Sequence, residues 1–184
     1  MMMGWIILAI LLAVVVWAVA VYNGLIQLRI RAEGSWSDID VQLKRRYDLI
    51  PNLVETVKGY AAHEKRVFEA VTEARTRAMG ATSPGARGEA EQGLAGALKT
   101  LFAVAENYPQ LRASENFQGL QGSLNQLEEA IQNARRYYNA VVRDYNTKIH
   151  LLPDRLVATL AGFQTKEFFQ PDSAEERRNV KVAF

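Results

Sequence analysis

Between Met1 and Leu28 no side chain carries a charge, and Trp5 to Tyr22 (WIILAILLAVVVWAVAVY) is an unbroken apolar run. Its roughly 18 residues make about 27 Å of helix, close to the hydrocarbon thickness of a bilayer. Trp5 and Tyr22 stand at its ends, where amphipathic rings favour the headgroup region, while Trp17 falls inside the run. A cleaved signal peptide is the rival reading, with Ala18-Val19-Ala20 as a small-x-small site. It lacks a basic leading region, and its apolar run exceeds the usual length of about 7–15 residues. The pattern therefore predicts an uncleaved transmembrane helix over residues 5–22, inside an anchor of residues 1–28.

Beyond the anchor the apolar positions change spacing. Steps of three and four join Trp36, Ile39, Leu43, Tyr47, Ile50, Val54, Val57, Ala61, Phe68, Val71, Ala74 and Ala78, with a lapse near Glu64. That stripe predicts one long helix from about Leu28 to Ala78, roughly 75 Å in length. Pro51 removes the hydrogen bond to the carbonyl of Tyr47 and predicts a kink rather than an end, since the stripe continues in phase. Met79–Gly88 (MGATSPGARG) gathers Gly, Pro, Ser and Thr and predicts a reversing turn. A second helix presents Ala90, Leu94, Ala97, Leu101, Val104 and Ala105 and stops before Asn107-Tyr108-Pro109. Ser114 suits the N-cap of a third, whose face runs Phe117, Leu120, Leu124, Leu127, Ile131, Ala134, Tyr138, Val141, Tyr145 and Ile149.

Leu152-Pro153-Asp154 breaks that helix, and Asp154 opens a short fourth one through Leu156, Val157 and Leu160 to a stop at Gly162. Phe163, Phe168 and Phe169 are too apolar to leave in water and predict a segment tucked against the helices. The polar stretch from Pro171 marks residues 171–184 as a flexible tail. The fold class predicted is all-α: an N-terminal transmembrane helix followed, over residues 29–170, by an up-and-down bundle of three long helices plus a short fourth helix, with coiled-coil-like stripes.

Composition narrows the function. Lys plus Arg number 22 against 20 Asp plus Glu, a net charge of +2, which lacks the basic footprint a nucleic-acid binder needs. Absent cysteines exclude disulfides, thiolate metal sites and cysteine nucleophiles. Basic residues fall on one side of the span: none precedes it, whereas Arg29, Arg31, Lys44, Arg45 and Arg46 follow, which predicts a bundle that faces the cytoplasm. Arg29 and Arg31 are close enough to meet anionic headgroups; the triplet 44–46 lies about 30 Å beyond the span along a straight helix, outside one Debye length.

Catalytic motifs are missing. The two histidines, His63 and His150, are preceded at three positions by Tyr60 and Thr147, so the Glu-x-x-His pattern of carboxylate di-metal bundles is absent. His63-Glu64 begins a zinc-protease motif that Val67 ends. No nucleophile elbow, phosphate loop or dinucleotide fingerprint occurs. Asp38 with Asp40 and Glu128 with Glu129 point to different helix faces and read as solvated charges. No cofactor, metal site or small-molecule substrate is expected, and the chain reads as non-enzymatic.

Two polar clusters stand out: Lys44-Arg45-Arg46-Tyr47-Asp48 beside the proline, and Arg135-Arg136-Tyr137-Tyr138-Asn139 in the third helix. The plainer reading is that the tyrosines pack while the arginines reach acidic residues on neighbouring helices. The alternative is a polar seam of Arg45, Arg46, Tyr47, Arg135, Arg136 and Tyr138 that fixes register or meets a partner.

At these residues the chain resembles the LemA family. The likeness is carried by Tyr22-Asn23, Leu28-Arg29, the run from Trp36-Ser37-Asp38-Ile39-Asp40 through Tyr47-Asp48-Leu49-Ile50-Pro51-Asn52-Leu53, and Val57-Lys58-Gly59-Tyr60. It continues in Ala105-Glu106-Asn107-Tyr108-Pro109, Asn116-Phe117, Ala134-Arg135-Arg136-Tyr137-Tyr138-Asn139, Tyr145-Asn146 and Phe163 with Phe168-Phe169. The resemblance implies a bacterial inner-membrane protein with one N-terminal span and an up-and-down helical bundle, and no established reaction. The expected function is a self-associating scaffold or structural component of the membrane; the alternative is an adaptor or accessory factor for another membrane or envelope-maintenance system. Expected partners are the lipid bilayer, further copies of the chain and an unidentified membrane protein.

Overall fold

The computed structural model describes residues 2–169, and every regular element among them is helical: α1 (Met2–Lys58), α2 (Lys65–Gly80), α3 (Pro84–Ala105), α4 (Pro109–Arg112), α5 (Glu115–His150) and α6 (Asp154–Leu160). The all-α class, the long apolar first helix and the break at Pro153 follow the sequence pattern. The tail expected at 171–184 lies outside the described residues. Among the described residues two compact units share the long helices, one comprising residues 2–39 and 133–167, the other residues 40–132 with Phe168 and Phe169.

In the first unit, α1 is long and apolar enough to cross a membrane, and its most apolar 18-residue window is only 6% buried. Burial begins near the end of that run. Val21 and Leu25 of α1 form a core with Tyr145 and Ile149 of α5 and Ala158 of α6, against which Trp17, Leu28, Val157 and Phe163 pack. Trp17, out of place for an aromatic at a span's edge, thus has a packing role. Further along, Trp36 meets Tyr138 with ring centroids 5.4 Å apart, so α1 and α5 run antiparallel here.

α6 ends as the glycine foretold. Gly162 takes φ 73°. Its N–H bonds to Thr159 at 3.3 Å while that of Phe163 reaches back to Ala158 at 3.0 Å. This pair of reversed bonds satisfies the last carbonyls and needs a left-handed residue at the turn.

The second unit departs from the sequence expectation first at the end of α1. α1 stops at Lys58 and α2 starts at Lys65, where periodicity had carried one helix to Ala78. Tyr60 and Ala61 both bond back to the Val57 carbonyl, closing a turn after Gly59. The reversal is proven by Arg75, whose Nε lies 2.8 Å from the Tyr47 carbonyl oxygen; an unbroken helix would separate the two residues by about 42 Å. The stripe stays in phase because α1 and α2 bury their faces in one core, including Leu53, Val57, Ala61, Phe68 and Val71.

α3 likewise begins earlier than expected. Ser83 accepts from the Ala86 N–H and Pro84 occupies the first helical position, so the Ser-Pro pair is a helix start and not mid-turn. Its buried face is Gly88, Glu91, Leu94, Leu98, Leu101 and Ala105, rather than one through Ala90 and Ala97. Phe102 meets Phe117 of α5 edge-on at 6.2 Å.

Candidate functional site

Of the six residues singled out in the sequence, Arg46 has the most demanding position. A helix that buries Leu43, Tyr47 and Ile50 also turns Arg46 inward, and its side chain keeps only 4% of its accessible surface. Removing a guanidinium from water is costly unless anions replace the solvent. Two do. Glu91 of α3, with a side chain 9% exposed, forms an ion pair with it. Glu128 of α5 accepts from Arg46 Nη1 at 2.8 Å, its own side chain 42% exposed. One cation thus ties three helices. Tyr47 donates its hydroxyl to the same Glu91; burial pushes its phenol up, and the Arg46 and Arg87 charges oppose that shift.

Beside this cluster lies the backbone defect that Pro51 imposes. A proline offers no N–H to the carbonyl four residues earlier. That carbonyl belongs to Tyr47, and Arg75 of α2 supplies the missing donor. The orphaned carbonyl is legible in the sequence but its partner is not, because it is the turn after Lys58 that brings Arg75 back. Asp40, read as a solvated charge, pairs with Arg87, whose Nη2 also bonds to the Ala81 carbonyl at 2.7 Å. Arg45 is exposed.

In the first unit, Tyr138 is 4% exposed. Its hydroxyl donates to the Glu167 carbonyl at 2.8 Å. Burial first, then the Glu167 charge, pushes its phenol up to about 12. Arg136 is exposed and bonds to Asn133, and Arg135 is half-buried. Two functional positions were not singled out beforehand. Tyr145 donates to the Gln164 carbonyl at 2.9 Å. Asn146 donates Nδ2 to the Lys166 carbonyl and accepts from the Lys166 N–H, each at 2.9 Å. An amide that bonds both backbone groups of one residue acts as a neighbouring strand would. Segment 163–167 is therefore strapped along α5 by side chains at positions 138, 145 and 146, the spacing of one helix face. Lys166 also reaches Glu33 at 3.3 Å, and Arg29 beside Glu33 holds its carboxyl below the usual range.

The contacts shown brace helices against one another and hold segment 163–167 to α5. Among the described residues no three His, Asp, Glu or Cys side chains gather as a metal cage. A cleft of about 370 Å³ opens over the Arg46–Glu128 pair, lined by Ala95, Leu98, Lys99, Phe102, Leu124 and Asn125. Its walls are mostly apolar, with Lys99, Asn125 and the ionic pair as the polar part of the lining.

These features coincide with a match of residues 35–184 to the LemA family model. The chain belongs to the LemA family. Among its relatives, a magnetosome protein MamQ 2 of Paramagnetospirillum magneticum is 27% identical over 179 residues, covering 83% of this chain and 66% of its own length. The MamQ protein of Magnetospirillum gryphiswaldense is 25% identical over the same shares. A protein LemA of Metamycoplasma hominis is 24% identical over 157 residues, covering 83% of this chain and 70% of its own. This LemA-family chain thus spans just under two thirds of the length of the MamQ relatives it matches. None of these names states a catalytic activity.

Proposed function

We propose that this LemA-family protein is a non-enzymatic, membrane-anchored scaffold that self-associates in the bacterial inner membrane with its helical body on the cytoplasmic side. The observation that carries the reading is the contrast along α1. Residues 2–16 are exposed and wholly uncharged, whereas from Val21 onward the same helix is packed into a folded body. Such a helix buries its free end only in lipid or against other apolar helices. Ala9, Ala13, Ala18 and Ala20 leave room for close approach between copies. Arg29 and Arg31, just after the span, favour a cytoplasmic body.

Solution mass of the full chain in mild detergent tests this. A uniform assembly that Ala9→Ile with Ala13→Ile dissociates supports the scaffold. Truncating the anchor is a poorer probe, because Val21 and Leu25 would leave the core. A monomer in several mild detergents overturns self-association and favours the adaptor reading. For that second reading the apolar cleft lined by Leu98, Phe102 and Leu124 is the most suitable docking surface.

A further inference from the structure

The first unit leaves a group of leucines uncovered at its anchor end. Leu151 is 59% exposed, Leu152 72%, Leu156 58% and Leu160 90%. In α6 the exposed positions 156 and 160 are one turn apart, and Leu152 continues their line just ahead of the helix. Ala158 lies on the opposite face and is 2% exposed in the core. The short helix therefore has two apolar faces: Ala158 and the partly buried Val157 face the protein, and the larger leucines face outward. In water alone this arrangement wastes apolar surface.

The antiparallel register gives the height of these leucines. Tyr138 meets Trp36. Ten residues further along α5, Lys148 Nζ lies over Gly24, where an added Cβ would approach it to 2.6 Å. Continuing the register brings Leu152 to about the level of Ala20 to Tyr22, the last turn of the apolar run. α6 stays at that level, since Ala158 shares a core with Val21 and Leu25. Lys148 and Arg155 flank the leucines, as cations do at a headgroup boundary.

We infer that the α5–α6 corner is a second membrane contact, a foot whose Leu151, Leu152, Leu156 and Leu160 enter the interface of the phospholipid bilayer that α1 spans. The inference rests on the spanning reading of α1. Contact at two points fixes the tilt and rotation of the body on the membrane, which a single helix leaves free. The occupant is lipid because the leucines are continuous in height with an already apolar, uncovered helix.

The chain has no cysteine, so single nitroxide labels can be placed in the full-length protein reconstituted in phospholipid vesicles. Leu156→Cys and Leu160→Cys report on the foot, Leu11→Cys, exposed on the face of the span opposite Ala9 and Ala13, on the span, and Ser123→Cys on an exposed position of the second unit. The expected result is that labels at 11, 156 and 160 lose relaxation by an aqueous nickel chelate while gaining it from oxygen, and that the label at 123 does the reverse. Labels at 156 and 160 as open to the chelate as that at 123, with 11 still in lipid, overturn the foot and leave the span intact. A label at 11 in water overturns the span and the foot with it. Labels at 156 and 160 shielded from both agents show a protein cover, and also overturn the lipid assignment.

Discussion

The two units brace their helices in opposite ways. In the second, a buried arginine and two glutamates join α1, α3 and α5 across 82 residues of sequence separation. In the first, neutral groups of α5 hold an extended segment by its backbone. The charged device is close to all-or-none, because deleting one member strands another ion out of water. The neutral device is graded, each bond adding about 1 kcal/mol and each loss partly mended by solvent. Rigidity is thus concentrated at Arg46, while the strap can loosen bond by bond.

Breaking the ionic brace is the largest expected effect. Glu91→Ala removes the buried carboxylate that pairs with Arg46 and should cost about 3–5 kcal/mol by denaturant unfolding in detergent. Arg46→Met with Glu91→Met should restore most of it, since neither charge is then stranded. A Glu91→Ala loss near zero would remove the contrast between the units.

Next comes the strap. Asn146→Ala frees both backbone groups of Lys166 and should cost roughly 1–2 kcal/mol, with faster amide exchange at Lys166. Asn146→Asp keeps the acceptor but loses the donor and should fall between the two.

The Pro51 repair is smaller and can be isolated by a cycle. Arg75→Leu should cost about 1 kcal/mol, and clearly less in a Pro51→Ala background, where an N–H again reaches the Tyr47 carbonyl. Equal losses in both backgrounds would show that Arg75 serves some other group.

The mildest effect appears only in alkali. Tyr138 holds its proton to about 12 in the folded chain, against about 10 when unfolded. Below pH 10 both states are protonated and the stability is fully present. Between 10 and 12 the unfolded chain loses the proton first, so stability falls as pH rises through that window. Phenolate absorbance should show this late titration, and Tyr138→Phe should reduce the alkaline slope.

Much of the molecule was legible in the sequence, and what was not has a common cause. The apolar run, the stripe of α5, the orphaned carbonyl at Tyr47 and the stop at Gly162 arise from residue types at short spacing, through transfer free energy, helical period, proline's missing N–H and glycine's free φ. A stripe in phase, however, cannot tell one helix from two that fold back and bury the same face, so the turn at 59–64 went unseen. Glu91 and Asn146 look like ordinary helix-surface residues until the chain reverses. Whether a charge or amide is solvated or bracing depends on what lies across from it. Sequence by itself determined that the chain is helical, where its apolar stripes run and which end is apolar enough for a membrane. Only the tertiary structure decided which polar groups meet, because burial and pairing are properties of segments brought together from far apart along the chain.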